Sequence, residues 1–279
     1  MSELQAYPEV FQNQPCLRLD HACGDTVLVA LHGAHILSWT SGGAERLYLS
    51  PQAVFDGHTA IRGGVPICFP QFNMRGSLPK HGFARTSAWT ALPAEDTLEA
   101  LELQLCSNPA TLALWPHPFT VTLRVEMAPG TLQCSFTVDN TGSEPLDFAL
   151  ALHTYLRVHD LPLLQLQGLA AQPYWDDVAQ TNRLEPGTVT FDGEVDRVYQ
   201  AAPEPLTLLD GEVQLRIVQS ENLADTVVWN PGADKCAVMS DMPDAGYQQM
   251  LCVEAAQVNT PVTLAAGEQW TGWQRISVL

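Results

Sequence analysis

The chain has 279 residues, 46% apolar and 16% charged, enough for a substantial packed core and unlike a disordered or low-complexity tract. Its formal net charge of −18 repels phosphate polymers and anionic bilayers, so neither nucleic acid nor membrane is expected as a partner. Seven cysteines, scattered and never spaced Cys-x-x-Cys, read as reduced thiols of a cytoplasmic protein and exclude a disulfide frame or a zinc ribbon.

The first residues, Met1-Ser2-Glu3-Leu4, lack a basic region followed by an apolar one, and no run of about eighteen apolar residues follows anywhere. The first predicted strand covers about 26–31. After it comes a segment of unusual charge. Arg62, Arg75, Lys80 and Arg85 are four of the thirteen Lys and Arg residues, while no Asp or Glu stands between Gly57 and Ala94. An even spread of the 31 carboxylates would put about four there, so the segment is built to meet an anion. His32 and His35, close by, would face opposite sides of a strand and make no metal site.

A strand is predicted at 98–106, and the clearest alternation follows. Phe119, Val121, Leu123, Val125 and Met127 share one face, and after Ala128-Pro129-Gly130 the pattern resumes with Leu132, Cys134, Phe136 and Val138. This is a β-hairpin with a core face. Further strands are expected at 146–157, 212–218, 225–230, 236–240, 250–255, 262–265 and 270–278. With twenty prolines, nineteen glycines, no long amphipathic helix and no linker, the pattern argues for one all-β domain over 1–279, an antiparallel sandwich or barrel.

Three groups of residues could carry chemistry. In 146–157 the even positions Leu146, Phe148, Leu150 and Leu152 form the apolar face, so His153 points the other way, beside the small Ala149 and Ala151. That face leaves room for a ligand, although an exposed or hydrogen-bonded strand histidine is the commoner case. Glu254 shares a strand face with Met250 and Cys252. Alone it reads as a strand-end charge; across a cleft from a histidine it supplies the second group for concerted proton transfer. Arg62, before Gly63-Gly64, and Lys80, His81 and Arg85 offer a guanidinium fork and point charges for a phosphate. Trp175 and Trp229, at loop edges, are the best candidates for stacking on a sugar ring. Dinucleotide, P-loop, nucleophile-elbow and His-Glu-x-x-His signatures are missing, and no metal is expected in the chemistry.

The blocks Ile61-Arg-Gly-Gly-Val-Pro-Ile-Cys-Phe-Pro-Gln-Phe72, Leu78-Pro-Lys-His-Gly-Phe-Ala-Arg85, His153-Thr-Tyr-Leu-Arg157, Gly193-Glu-Val-Asp-Arg-Val-Tyr199, Trp229-Asn-Pro231 and Cys252-Val-Glu254 stand in this order. From about residue 20 to the end, the chain thereby resembles the hexose-6-phosphate mutarotases, or glucose-6-phosphate 1-epimerases, a branch of the aldose 1-epimerase group. The first block is specific, the others in combination. The resemblance implies a galactose-mutarotase-like β-supersandwich with a ligand cleft on its concave sheet. It further implies that His153 is the general acid, Glu254 the general base, and Arg62, Arg85 and Asp196 substrate contacts, without a cofactor. Lys80 and His81 join the expected contacts; where the family often carries glutamine this chain has Lys80, a cation suited to an anionic substrate. The partner is then a small hexose phosphate and the protein a monomer. Two alternatives stay open: a non-catalytic carbohydrate-binding module on the same scaffold, and a mutarotase of neutral aldoses.

Overall fold

Two-residue alternation builds two large antiparallel sheets that close over one core. The computed structural model describes residues 4–93, 100–200 and 205–279. One sheet runs in spatial order through Gln165–Gln167, Leu206–Asp210, Val213–Gln219, Gln269–Val278, Thr131–Asn140, Phe119–Ala128, Ala100–Cys106 and Thr90–Ala91. The other runs through Thr181–Leu184, Pro173–Asp176, Val195–Gln200, Asp225–Asn230, Met250–Leu264, Leu146–Leu152 and Ile67–Cys68, with Tyr155–Arg157 also paired to Met250–Leu264. A third sheet of consecutive hairpins, from Leu4–Phe11 to Ala44–Glu45, packs at one side. The Asp25 carboxylate holds it there, accepting from Ser41 Oγ, the Gly42 amide and the Gly130 amide at the tip of the long hairpin.

The expected core face is the observed one. Phe119, Val121, Leu123, Val125 and Met127 alternate buried with half-buried neighbours, and Leu132, Cys134, Phe136 and Val138 oppose them. Leu146, Phe148, Leu150 and Leu152 enter the same core from the second sheet. Each such side chain contributes roughly 1.5–3 kcal/mol of transfer free energy. Phe69 is the hub, with its ring centroid 5.4–6.4 Å from those of Phe83, Trp115, Phe119, Phe136 and Phe148. It pins the cationic segment to the core, so the charges just before and after it project from a fixed floor.

Three expectations change on folding. The strand expected at 236–240 is absent: Gly232–Cys236 is a short helix and a turn follows. The stretch lacks alternating burial, with Cys236 buried and Val238 83% exposed. The segments at 250–255 and 262–265 are one strand, Met250–Leu264, with a bulge where the partner passes from Phe148 to Leu150. There the Asp225 carboxylate accepts from the Val258 and Asn259 amides, replacing the interrupted ladder. The strand expected at 146–157 breaks at His153–Thr154 and resumes at Tyr155. Across the break the His153 amide donates to the Pro66 carbonyl and the Tyr155 amide to the Gly64 carbonyl, so the cationic segment supplies the missing partners. The 98–106 strand is observed from Ala100; its first two residues lie outside the described ones. Unforeseen strands include Leu4–Phe11, Gln14–His21, His35–Ser41 and Pro173–Asp176.

Candidate active site

Gly63 and Gly64 set the approach to the site. Both have positive φ, at 106° and 61°. A Cβ on Gly63 would collide with the Tyr48 carbonyl and one on Gly64 with the Ile36 carbonyl, so side chains are excluded sterically as well as conformationally. Behind this turn His35, fully buried, donates from Nε2 to the Gly63 carbonyl at 2.7 Å. His32 likewise meets the Thr59 carbonyl at 2.9 Å. The two histidines support the loop individually.

With the backbone so fixed, Arg62 reaches into a cleft of about 460 Å3 lined also by Phe72, Asn73, Lys80, His81, His153, Asp196, Val227, Trp229, Lys235 and Glu254. Six of the seven expected site residues therefore converge from segments up to 192 positions apart. Arg85 is the exception: its Nη2 donates to the Lys80 carbonyl at 3.0 Å, and it stands behind the cleft wall. Its charge still reaches the floor, where it disfavours protonation of His153 and favours ionised Glu254.

On the floor, His153 Nε2 lies 3.4 Å from Glu254 Oε1. Both residues are buried, at 8% and 1% exposure, and Glu254 Oε2 and His153 Nδ1 have no hydrogen-bond partner among the described residues. The imidazole is held by stacking on Tyr155, with centroids 4.9 Å apart and planes 14° apart, and by the edge of Trp229 at 6.0 Å. Burial, then Arg85 and Arg62, push the imidazolium well below its ordinary range. Burial, reinforced by Asp196, pushes the Glu254 carboxyl well above its ordinary range. The two shifts act in one sense, each favouring the uncharged form of its group, so the two residues titrate as a coupled pair.

The walls are polar. Arg62 donates from Nε to Asp241 Oδ2 at 3.1 Å and from Nη1 to the Tyr155 hydroxyl at 2.8 Å, a fork held from two sides. His81 adopts left-handed backbone, φ 65°, and its Nδ1 accepts the Asn73 amide at 3.2 Å, which leaves Nε2 to carry the proton. Burial and the neighbouring His153 and Arg85 keep it neutral. Asp196 is raised to about 6 by burial, then by Asp177. Lys80 is lowered by burial and by Lys235.

Of the two tryptophans singled out, Trp229 lines the cleft and Trp175 does not; the Trp175 indole donates to Asp177 Oδ1 at 2.9 Å. His153, Cys252 and Glu254 also bring potential metal-binding atoms within 4.8 Å of one another. Burial keeps the Cys252 thiol far from ionising, which opposes that use. Sequence reasoning missed Lys235 and Asp241. Lys235 fell just before a misread strand, and the pairing of Asp241 with Arg62 spans 179 residues with no local pattern to announce it.

Known proteins resemble this chain throughout. The aldose 1-epimerase family model matches residues 15–277. A protein of Cenchrus ciliaris named a candidate glucose-6-phosphate 1-epimerase is 40% identical over 259 residues, 88% of this chain and 78% of that one. Its namesake from Escherichia coli K12 is 36% identical over 236 residues, 81% and 78% of the two chains. The crystal structure of a candidate mutarotase from Salmonella typhimurium superposes with a TM-score of 0.89 at 29% identity, covering 100% of this chain and 95% of that one. A galactose 1-epimerase from Lactobacillus acidophilus shares the fold, at 15% identity and a TM-score of 0.70. The sheets match the galactose-mutarotase-like supersandwich, and with a family model running almost from end to end the chain belongs to the aldose 1-epimerase family.

Proposed function

We propose that this enzyme interconverts the α and β anomers of hexose 6-phosphates, glucose 6-phosphate foremost, with Glu254 as general base and His153 as general acid. The observation that carries the reading is the 3.4 Å contact between these two buried groups on the floor of a cleft with a cationic wall. Anomerisation needs a proton taken from the C1 hydroxyl and one given to the ring oxygen. These oxygens are bonded to the same carbon, so acceptor and donor must be immediate neighbours.

The steps balance within the pair. Glu254 takes the hydroxyl proton as the C1 carbonyl forms, the bond from C1 to the ring oxygen breaks, and His153 protonates that oxygen. Rotation about C1–C2 presents the other aldehyde face. On reclosure His153 removes the proton from the oxygen, Glu254 returns one to the carbonyl, and both regain their starting states. The cycle runs from Glu254 as carboxylate and His153 as imidazolium, with one proton shared by the pair. Arg62, His81 and Asp196 contact the sugar, Lys80 the phosphate, and Arg85 fixes Lys80 from behind.

The names of the relatives support hexose phosphate as the substrate. Seven free cysteines fit a cytoplasmic setting, and no described helix is long and apolar enough to cross a membrane. The cleft lining comes from one chain, which is compatible with a monomer. Exchange NMR on equilibrated glucose 6-phosphate tests the proposal: catalytic amounts of protein should broaden or exchange the α and β C1 signals, and an exchange rate equal to that of buffer would refute it.

A further inference from the structure

The cleft contains a cation that none of the expected contacts includes, and its present partner is replaceable. Lys235 stands on the helix Gly232–Cys236, lines the cleft together with Lys80, and donates from Nζ to Glu194 Oε1 at 2.5 Å. The three guanidiniums of the cationic segment are otherwise engaged, Arg75 by the Val258 carbonyl and Asn259 Oδ1. Arg62 is bound to Asp241 and Tyr155, and Arg85 donates to the Lys80 carbonyl from outside the lining. Lys80 makes no ion pair with any described residue, and burial, then the nearby Lys235 charge, disfavour its charged form. The cleft thereby holds two lysines, one of them with an exchangeable carboxylate, beside an Arg62 that is already engaged.

Building on the sugar-phosphate reading, we infer that Lys235 and Lys80 together grip the substrate's phosphate, and that Glu194 occupies Lys235 until the phosphate displaces it. A phosphate monoester brings about −1.5 to −2 charges and three acceptor oxygens against one charge on the carboxylate, so exchange favours the phosphorylated sugar. A neutral sugar brings nothing that displaces Glu194. The pair thus acts as a selectivity filter at the mouth of the cleft.

Released Glu194 has somewhere to go. It also lines a neighbouring cavity of about 890 Å3, with Asp192, Pro231, Asp234 and Tyr247 among its other walls. The helix does not depend on the ion pair. The Asn230 side chain accepts the Gly232 amide at 2.9 Å, and Gly232 packs against the Glu194 backbone, where a Cβ would come within 2.7 Å of its nitrogen. Lys235 can therefore change partner on a fixed backbone.

The test uses inorganic phosphate binding and turnover on the full chain. Lys235→Gln should weaken phosphate binding about tenfold in a calorimetric or NMR titration, and Glu194→Gln should tighten it several-fold. In turnover, Lys235→Gln should lower the ratio of kcat/KM for glucose 6-phosphate over glucose about tenfold, mainly through KM for the phosphorylated sugar, and Lys235→Arg should recover most of it. Unchanged phosphate affinity in Lys235→Gln, or weaker affinity in Glu194→Gln, overturns the inference. Equal loss with both sugars does so too, because it makes Lys235 a sugar contact or a structural residue. The phosphate titration needs no turnover, so it stands even if anomerase activity itself is refuted.

Discussion

Replacing Glu254 by glutamine exchanges one carboxylate oxygen for an NH2 group at nearly constant volume, at a position 1% exposed whose Oε2 has no partner among the described residues. The variant keeps the shape of the floor and removes the proton acceptor. General acid–base assistance is worth about 10²–10⁴-fold, so kcat should fall by that factor, about 2.7–5.4 kcal/mol of barrier. Stability should move differently. Burial raises the Glu254 carboxyl above its ordinary 4.5, so between that value and the native one the folded state binds more protons than the unfolded state. Parental stability is therefore lost progressively as pH rises through this window, and glutamine is exempt from that loss. The variant should gain thermal stability relative to the parent on going from pH 4 to pH 8, while losing its rate of anomer exchange by NMR. His153, lowered by burial and by Arg85, contributes a loss of the opposite sense below its ordinary 6.5, and both proteins share it. A variant that retains more than about a tenth of the parental rate, or that loses stability against the parent as pH rises, refutes the reasoning.

Asp196 is raised to about 6, so as a carboxylate that accepts from a sugar hydroxyl it should make kcat/KM rise with pH through that value. Asp196→Asn should abolish this limb of the profile, and its survival would assign the limb to another group, the substrate phosphate included. Tyr155→Phe keeps the ring stacked on His153 but removes the acceptor of the 2.8 Å bond from Arg62, and should cost about 1.5–3 kcal/mol in denaturant unfolding with KM rising more than kcat falls. Gly64→Ala puts a Cβ into the Ile36 carbonyl at φ 61°; about 3 kcal/mol or more of destabilisation should appear as a lowered Tm.

The fold was legible where one face is buried and the other is wet. Phe119–Ala128 and Thr131–Asn140 alternate because each carries a single core face, and a period of two follows directly. Strands buried on both faces lack that signature. Asp225–Asn230 is almost continuously buried, and Met250–Leu264 is so over its first seven residues; apolar runs located both and bounded the first, but split the second into two segments. The helix Gly232–Cys236 escaped because five residues are too few for a 3.6-residue period to show. At His153 the alternation itself misled in part. The side chain does leave the core face, but through a break in the strand that the cationic segment closes from outside, and only tertiary hydrogen bonds reveal such a break.

Charge in the candidate site was legible in amount and illegible in arrangement. The carboxylate-free segment from Gly57 to Ala94 contributes Arg62, Lys80 and His81 to the cleft, and counter-ions absent from the neighbouring sequence must come from elsewhere or from a ligand. The fold supplies one of them, Asp241, and spends it on Arg62. A guanidinium paired in this way is close to neutral as a unit, so its value to a ligand is directional: two donors are already used, and those left over have a fixed orientation suited to hydroxyls. The charge available to a dianion then lies on Lys80, which has no ion pair among the described residues, and on Lys235, whose partner Glu194 is 29% exposed and can be exchanged. On the proposed reading, an anion entering this cleft should accordingly be met by lysines at its mouth before any arginine, with the arginine left to support the sugar nearer the proton-transfer pair.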